Sequence, residues 1–207
     1  RGEAEAGLQE MQAAVEQRED ASGRFQLAIA LLRSEQRFKA HQALRRAVTL
    51  DADYAQAWNA LAQITLERLE TAPEVQKKAI LDELHKIEAA LAKIGPKAEG
   101  LIELRAQRLL LEGKETEANA LLQQGLKDYP NRATLHMIIA AMAQRKGDNP
   151  TVLTHLQKAA DADSEDAEPL VLLSGLLQNA GDTKAAAKAL EEAVKRAPFE
   201  PELQAQL

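Results

Sequence analysis

Four histidines, one acidic run and two basic doublets are the residues of this chain with the most chemistry to offer. The histidines are His41, His85, His136 and His155, and no two stand at the i, i+4 spacing that sets two imidazoles on one helix face. Only His85 has an acid close by at a ligand spacing, Glu88, and two groups fall short of the three or four ligands a metal site needs. That pair reads as a solvated helix face. Asp161-Ala-Asp-Ser-Glu-Asp166 opens like a calcium loop but lacks the sixth-place glycine and the later bidentate glutamate. It reads instead as the acidic start of a helix, where the macrodipole favours carboxylates. Arg45-Arg46 and Lys77-Lys78 read as solvated doublets on helices. No Walker-type phosphate loop, G-x-G-x-x-G or nucleophile elbow is present. The expectation is a chain that is not an enzyme and takes no cofactor or metal.

Composition narrows the class further. The net charge of −6 argues against a nucleic-acid binder, because neutralising phosphates needs clustered Lys and Arg. The absence of cysteine excludes a disulfide framework, a thiolate zinc site and a cysteine nucleophile. No run of eighteen or more apolar residues exists, so no membrane insertion by this segment is expected. Leu and Ala carry the apolar content and aromatics are scarce, which suits helix-on-helix packing. The chain opens on Arg1 without an initiator methionine or a signal peptide, and it reads as a piece of a longer protein.

The elements that position these residues are repeated. GDTKAAAKALEEAVKRAP, from Gly181 to Pro198, is a Gly-Asp turn, an amphipathic helix and a closing proline. GKETEANALLQQGLKDYP, from Gly113 to Pro130, has the same grammar 68 residues earlier, two periods of 34, and Gly147-Asp148 marks the copy between them. Units begin at 21, 55, 99, 133 and 167, at spacings of 34, 44, 34 and 34. The predicted organisation is one helical-repeat array. Residues 1–20 hold the second helix of a cut repeat, 21–54 a repeat and 55–98 a lengthened repeat. Residues 99–132, 133–166 and 167–200 are further repeats, and 201–207 start another helix. In the lengthened repeat, Thr71 followed by Glu74 predicts a capping box with Pro73 in the first helical turn. Gly95-Pro96 predicts the stop. The first helix, over residues 3–18, is expected to bury Ala6, Met11, Ala14 and Val15.

Several columns of residues run at the repeat period. One is small: Ala28, Ala62, Ala106, Ala140 and Ser174. Others hold Ala40, Ala118, Val152 and Ala186; Leu44, Leu122, Leu156 and Leu190; and Ala47, Gly125, Ala159 and Ala193. Pro96, Pro130 and Pro198 end units, with Ala52 and Ser164 standing in elsewhere, and DADYAQAW at 51–58 joins two of them. In these columns the chain resembles the tetratricopeptide repeat family over nearly its whole length. Departures are Arg24 and His136 where the second unit has Trp58, and Arg105 in a column otherwise filled by Leu27, Leu61, Ile139 and Leu173. A buried Arg105 must snorkel or find a carboxylate.

The resemblance implies an all-α solenoid of antiparallel helix pairs, a right-handed superhelix with the first helices lining a concave groove. It also implies a scaffold that holds a protein or peptide partner. The groove residues it implies are Phe25, Ile29 and Leu32; Asn59, Gln63 and Leu66; Glu103, Gln107 and Leu110; Met137, Ala141 and Gln144; and Val171, Gly175 and Gln178. Two readings of their apolar members stand side by side. They form a stripe that binds an amphipathic helix or apolar peptide, or they pack between units. The bases and amides of the family's carboxylate clamp are missing, since Phe25, Ile29 and Ala60 occupy those places. With Phe25 as its one groove aromatic, a carbohydrate site ranks last. An alternative is a regulatory or targeting module of a larger enzyme or of a bacterial secretion machine. The Ala/Gln-rich repeats are similar to bacterial arrays, periplasmic or cytoplasmic, including those of exopolysaccharide export proteins.

Overall fold

The structure, a computed structural model, describes residues 2–95, 100–199 and 201–204. Pro96, the start of the third repeat at Glu99 and the last three residues lie outside the described residues. All regular structure among the described residues is helical. The helices are α1 (Gly2–Gln17), α2 (Ala21–Arg33), α3 (Arg37–Leu50), α4 (Ala55–Thr71), α5 (Glu74–Ile94) and α6 (Leu101–Leu111). They continue as α7 (Glu115–Asp128), α8 (Ala133–Arg145), α9 (Asn149–Ala162), α10 (Glu168–Asn179), α11 (Thr183–Arg196) and the short α12 (Pro201–Gln204). They fall into two compact units, Arg1–Lys114 and Glu115–Leu207, so the division lies in the turn of the repeat read at 99–132.

In four of the five repeats the turn is closed by one device. The amide of Gln36 donates to the Leu31 carbonyl at 2.9 Å, Lys114 to Leu109 at 2.8 Å, Asp148 to Ala143 at 3.0 Å and Asp182 to Leu177 at 3.0 Å. Each bond spans the helix end as a Schellman closure, which requires a left-handed residue just before the donor. Gly113, Gly147 and Gly181 supply it at φ 76°, 71° and 84°. In the first repeat Glu35 occupies the same place at φ 58°. In the last two repeats the next helix is then capped by an aspartate. Asp148 accepts from the Thr151 amide at 3.2 Å and Asp182 from the Ala185 amide at 3.0 Å.

Every member of the four columns is buried. Small side chains at the crossing let the two helices approach, and the leucines fill the space to either side. Ser174, in the small column, stays satisfied by donating to the Ala186 carbonyl of α11 at 2.9 Å. In unit 1 the core runs from Leu8 to Leu104; in unit 2 it gathers Ala140, Val152, Leu156, Leu173 and Ala193 among others.

The structure corrects two expectations, the buried face of α1 and the capping box. The face α1 buries is Leu8 and Val15, while Ala6, Met11 and Ala14 are exposed. The extra length of the second repeat is in its helices: α4 has 17 residues against 13 in α2, and α5 has 21 against 14 in α3. Helix α5 buries Ile80, Leu84, Ile87 and Leu91 in place of the small-and-leucine set. The capping box does not form. Because α4 runs on to Thr71, that hydroxyl donates back to the Glu67 carbonyl at 3.3 Å, and Pro73 is the extended N-cap residue with no side-chain cap.

Glu35 carries the strain its glycine counterparts avoid, about 1–2 kcal/mol for a side chain in the left-handed region. Glu35→Gly is expected to raise stability by about 0.5–1 kcal/mol in urea unfolding, after the backbone entropy of glycine is set against the relief.

Candidate functional site

The first helices α2, α4 and α6 of unit 1 carry nine of the implied groove residues. Phe25 stacks at 5.2 Å between ring centroids on Tyr54, and Phe25 and Leu32 pack against the core. Ile29 and Leu110 are half-buried. Leu66, expected on the groove, is only 6 % exposed and belongs to the core, because α4 is lengthened and packs against both α5 and α6. Asn59 lies against the Gly100 backbone, where an added Cβ would meet its Oδ1 at 2.5 Å. Glu103 and Gln107 are half-buried, and Gln63 is exposed.

Helices α8 and α10 carry the other six, in unit 2. Met137 and Val171 are half-buried against that unit's core, while Ala141, Gln144, Gly175 and Gln178 are exposed. The pairs Met137 and Val171, Ala141 and Gly175, and Gln144 and Gln178 are each 34 residues apart, one repeat period. A Cβ built on Gly175 meets nothing within 4 Å. The face is an apolar floor largely taken up in packing, a small-residue strip and an amide edge.

Charged clusters join the helices of unit 1. Glu83 of α5 stands 3.0 Å from His41 Nε2 of α3 and accepts from Arg68 of α4 at 3.2 Å, with Arg45 at 3.7 Å. The His41 hydrogen bond, over the opposing effect of burial, holds the Glu83 carboxyl below the usual range. Arg105 does find a carboxylate, donating to Glu88 at 2.8 Å, and Arg108 donates to the same group at 3.1 Å and to Glu112 at 2.5 Å. Burial pushes the Glu112 carboxyl up, but hydrogen bonds from Lys114 and Arg108 outweigh it and bring it below the usual range. Arg37 pairs with Glu67, and Arg46 and Arg24 with Glu19, whose carboxyl is lowered to about 2 chiefly by the Arg46 hydrogen bond. These acids are engaged with arginines or lysines, so the clusters act as interhelix ties.

The column holding Trp58 and His136 has a role that residue type concealed. Trp58 Nε1 donates to the Ala52 carbonyl at 2.8 Å, His136 Nε2 to Pro130 at 2.9 Å and Gln204 Nε2 to Pro198 at 2.8 Å. Each reaches back six residues to the junction between repeats. Indole, imidazole and carboxamide share only an N–H at similar reach, which no hydrophobicity column reveals. Arg196 was also not legible: its guanidinium binds the carbonyls of Ala160, Asp163 and Asp166 at 2.8–3.1 Å and ties α11 to the end of α9.

Among the described residues no cluster of three or more His, Cys, Asp or Glu could hold a metal ion. Among them, too, no helix is long and apolar enough to cross a membrane. His85 lies beside Glu112, the residue after α6, 3.9 Å away.

The architecture superposes on a tetratricopeptide repeat protein from Parabacteroides merdae with a TM-score of 0.75, at 12% identity, covering 98% of this chain and 76% of that one. The fold is the tetratricopeptide repeat fold. A chain of the Cut9–Hcn1 hetero-tetramer of the APC/C matches with a TM-score of 0.61 at 17% identity, over 96% of this chain and 38% of its own. A thermophilic tetratricopeptide repeat protein of Thermus thermophilus matches at 0.53 and 15%, over 99% and 89%. No protein-family model matches the chain, and no curated protein matches it in sequence. The tetratricopeptide fold accounts for the columns, and within it His136 stands in the place of Trp58.

The lowered Glu83 carboxyl has a definite sign for stability. Its contribution is present above the ordinary value of 4.5 and is lost as pH falls through the folded value. Glu83→Gln is expected to make stability fall less steeply than in the wild type between pH 4.5 and 3, read by urea unfolding at each pH.

Proposed function

We propose that this chain is a protein-interaction scaffold with no reaction of its own, and that a protein or peptide partner docks on the first-helix faces. The observation that carries the reading is the α8–α10 face. Ala141 and Gly175 are exposed and one repeat period apart, so a partner backbone can approach closely. Gln144 and Gln178 stand beside them with donors and acceptors for that backbone. Half-buried Met137 and Val171 offer apolar contact without a large exposed patch. The Cut9–Hcn1 neighbour is named as a hetero-tetramer, an assembly of proteins on this fold, which fits the reading. The charge clusters are satisfied among themselves, which fits a surface for docking better than one for proton transfer.

The expected occupant is a short helix or extended segment with small and apolar side chains on one face. Random peptides displayed against the full chain should yield binders that lose at least tenfold in affinity for Gly175→Glu with helical content unchanged. Lys188→Glu, on the exposed side of α11, should bind them as the wild type does. Binders indifferent to Gly175→Glu would contradict the docking face.

A further inference from the structure

Unit 2 contains two facing imidazoles with no acid between them. His136 Nδ1 on α8 and His155 Nδ1 on α9 are 3.0 Å apart, and the ring centroids 5.1 Å. His136 is 3 % exposed. A carbonyl oxygen only accepts, so the 2.9 Å contact to Pro130 places a proton on His136 Nε2. That is the same junction bond that Trp58 and Gln204 make at this place in their repeats. The neutral His136 therefore turns a lone pair at Nδ1 toward His155, and His155 Nδ1–H donates to it. One proton fits between the two nitrogens. One further proton can be taken up with the contact intact, leaving one imidazolium and one neutral ring. Two imidazoliums would set N–H against N–H.

The surroundings do not relieve this. On α9, Lys158 lies one turn beyond His155, and Asp161 lines the opening beside His136 with Lys158. Arg132 stands at the start of α8 and over the Tyr129 ring. Helix α7 has exposed Lys127 and Asp128 in its last turn, the one charged residue of α10 is exposed Glu168, and Arg196 of α11 is held by carbonyls. Among the described residues neither ring has a hydrogen-bonded carboxylate partner. Burial first, then His136 and Lys158, pushes His155 below the ordinary imidazole value of 6.5. Unit 1 is built the other way. Its buried His41 lies 3.0 Å from the Glu83 carboxylate, with Arg68 2.9 Å from the same ring nitrogen.

We propose that the His136–His155 pair is an acid-sensitive latch, which holds α8, α9 and the Pro130 junction together near neutral pH and releases them when both rings take up protons. An open cavity of about 460 Å³ at that junction, lined by Pro130, Asn131, His136, Lys158, Asp161 and Ala162, gives water and counter-ions a way in. The latch stands independently of what docks on α8 and α10. The depressed carboxyls lie below 4.5, and within unit 2 the pair holds the only two histidines, so the window from 6.5 down to about 5 reads the pair there.

Amide exchange on the full chain, corrected for the intrinsic rate at each pH, tests it. From pH 6.5 to 5 the opening constant of α8 and α9 is expected to rise about tenfold per pH unit for each extra proton the open form binds. The amides of α4 and α5 are expected to show no such rise. His155→Gln keeps an N–H donor for His136 Nδ1 and cannot ionise, so its slope is limited to the one proton of His136. A flat α8–α9 profile in the wild type, or a variant slope above one proton, overturns the latch. Nitrogen NMR of the wild-type imidazoles is a second readout that needs no variant. The folded protein should hold at most one added proton on the pair at pH 5.5, and two imidazoliums with both helices still protected would overturn the proposal.

Discussion

The close crossing of two helices at a small side chain is the constraint on which the rest depends. Ala28, Ala62, Ala140 and Ser174 all sit buried on first helices that pack on the second helices of their own repeats. With no bulk there, the leucines of the second helices reach across and remove their surface from water, at about 25 cal/mol per Å². The turn has to return the chain at the right distance, and the left-handed closure, with an aspartate cap in the last two repeats, does so in few residues. Junction donors then hold one repeat to the next.

Most of the architecture was legible because its causes repeat. A left-handed glycine, a small residue and a leucine at a fixed period each answer a local steric demand, so the same residue types recur and the columns show. What escaped the sequence has the opposite character. Trp58, His136 and Gln204 meet one demand with three unlike side chains. Thr71 and Glu74 have the spacing of a capping box, but the lengthened α4 absorbs Thr71, and helix length is settled by packing rather than by the local motif. Leu8, rather than Met11, faces α2 because the neighbouring helix selects the buried face of a weakly amphipathic one.

The groove residues divide along the same line. Their places on the first helices followed from the period, but whether a half-apolar face is free or packed depends on neighbours. Leu66 went to the core and Phe25 to Tyr54, while Ala141, Gln144, Gly175 and Gln178 stayed exposed. Electrostatics separates the two units further. Unit 1 ties its helices with carboxylates placed between cations, which hold until acid removes the carboxylate charge. Unit 2 sets two imidazoles nitrogen to nitrogen, with an opposite response to protons near neutral pH.

Two neighbouring alanines on α8 give the most direct measurement. Ala140 is buried at the crossing and Ala141, one residue on, is exposed. Ala140→Leu is predicted to lower the free energy of unfolding by about 1–3 kcal/mol, the cost of overpacking a filled site. Ala141→Leu is predicted to stay within about 0.5 kcal/mol of the wild type. Equal effects of the two substitutions, or a more stable Ala140→Leu, would contradict the close crossing as the organising contact of this fold.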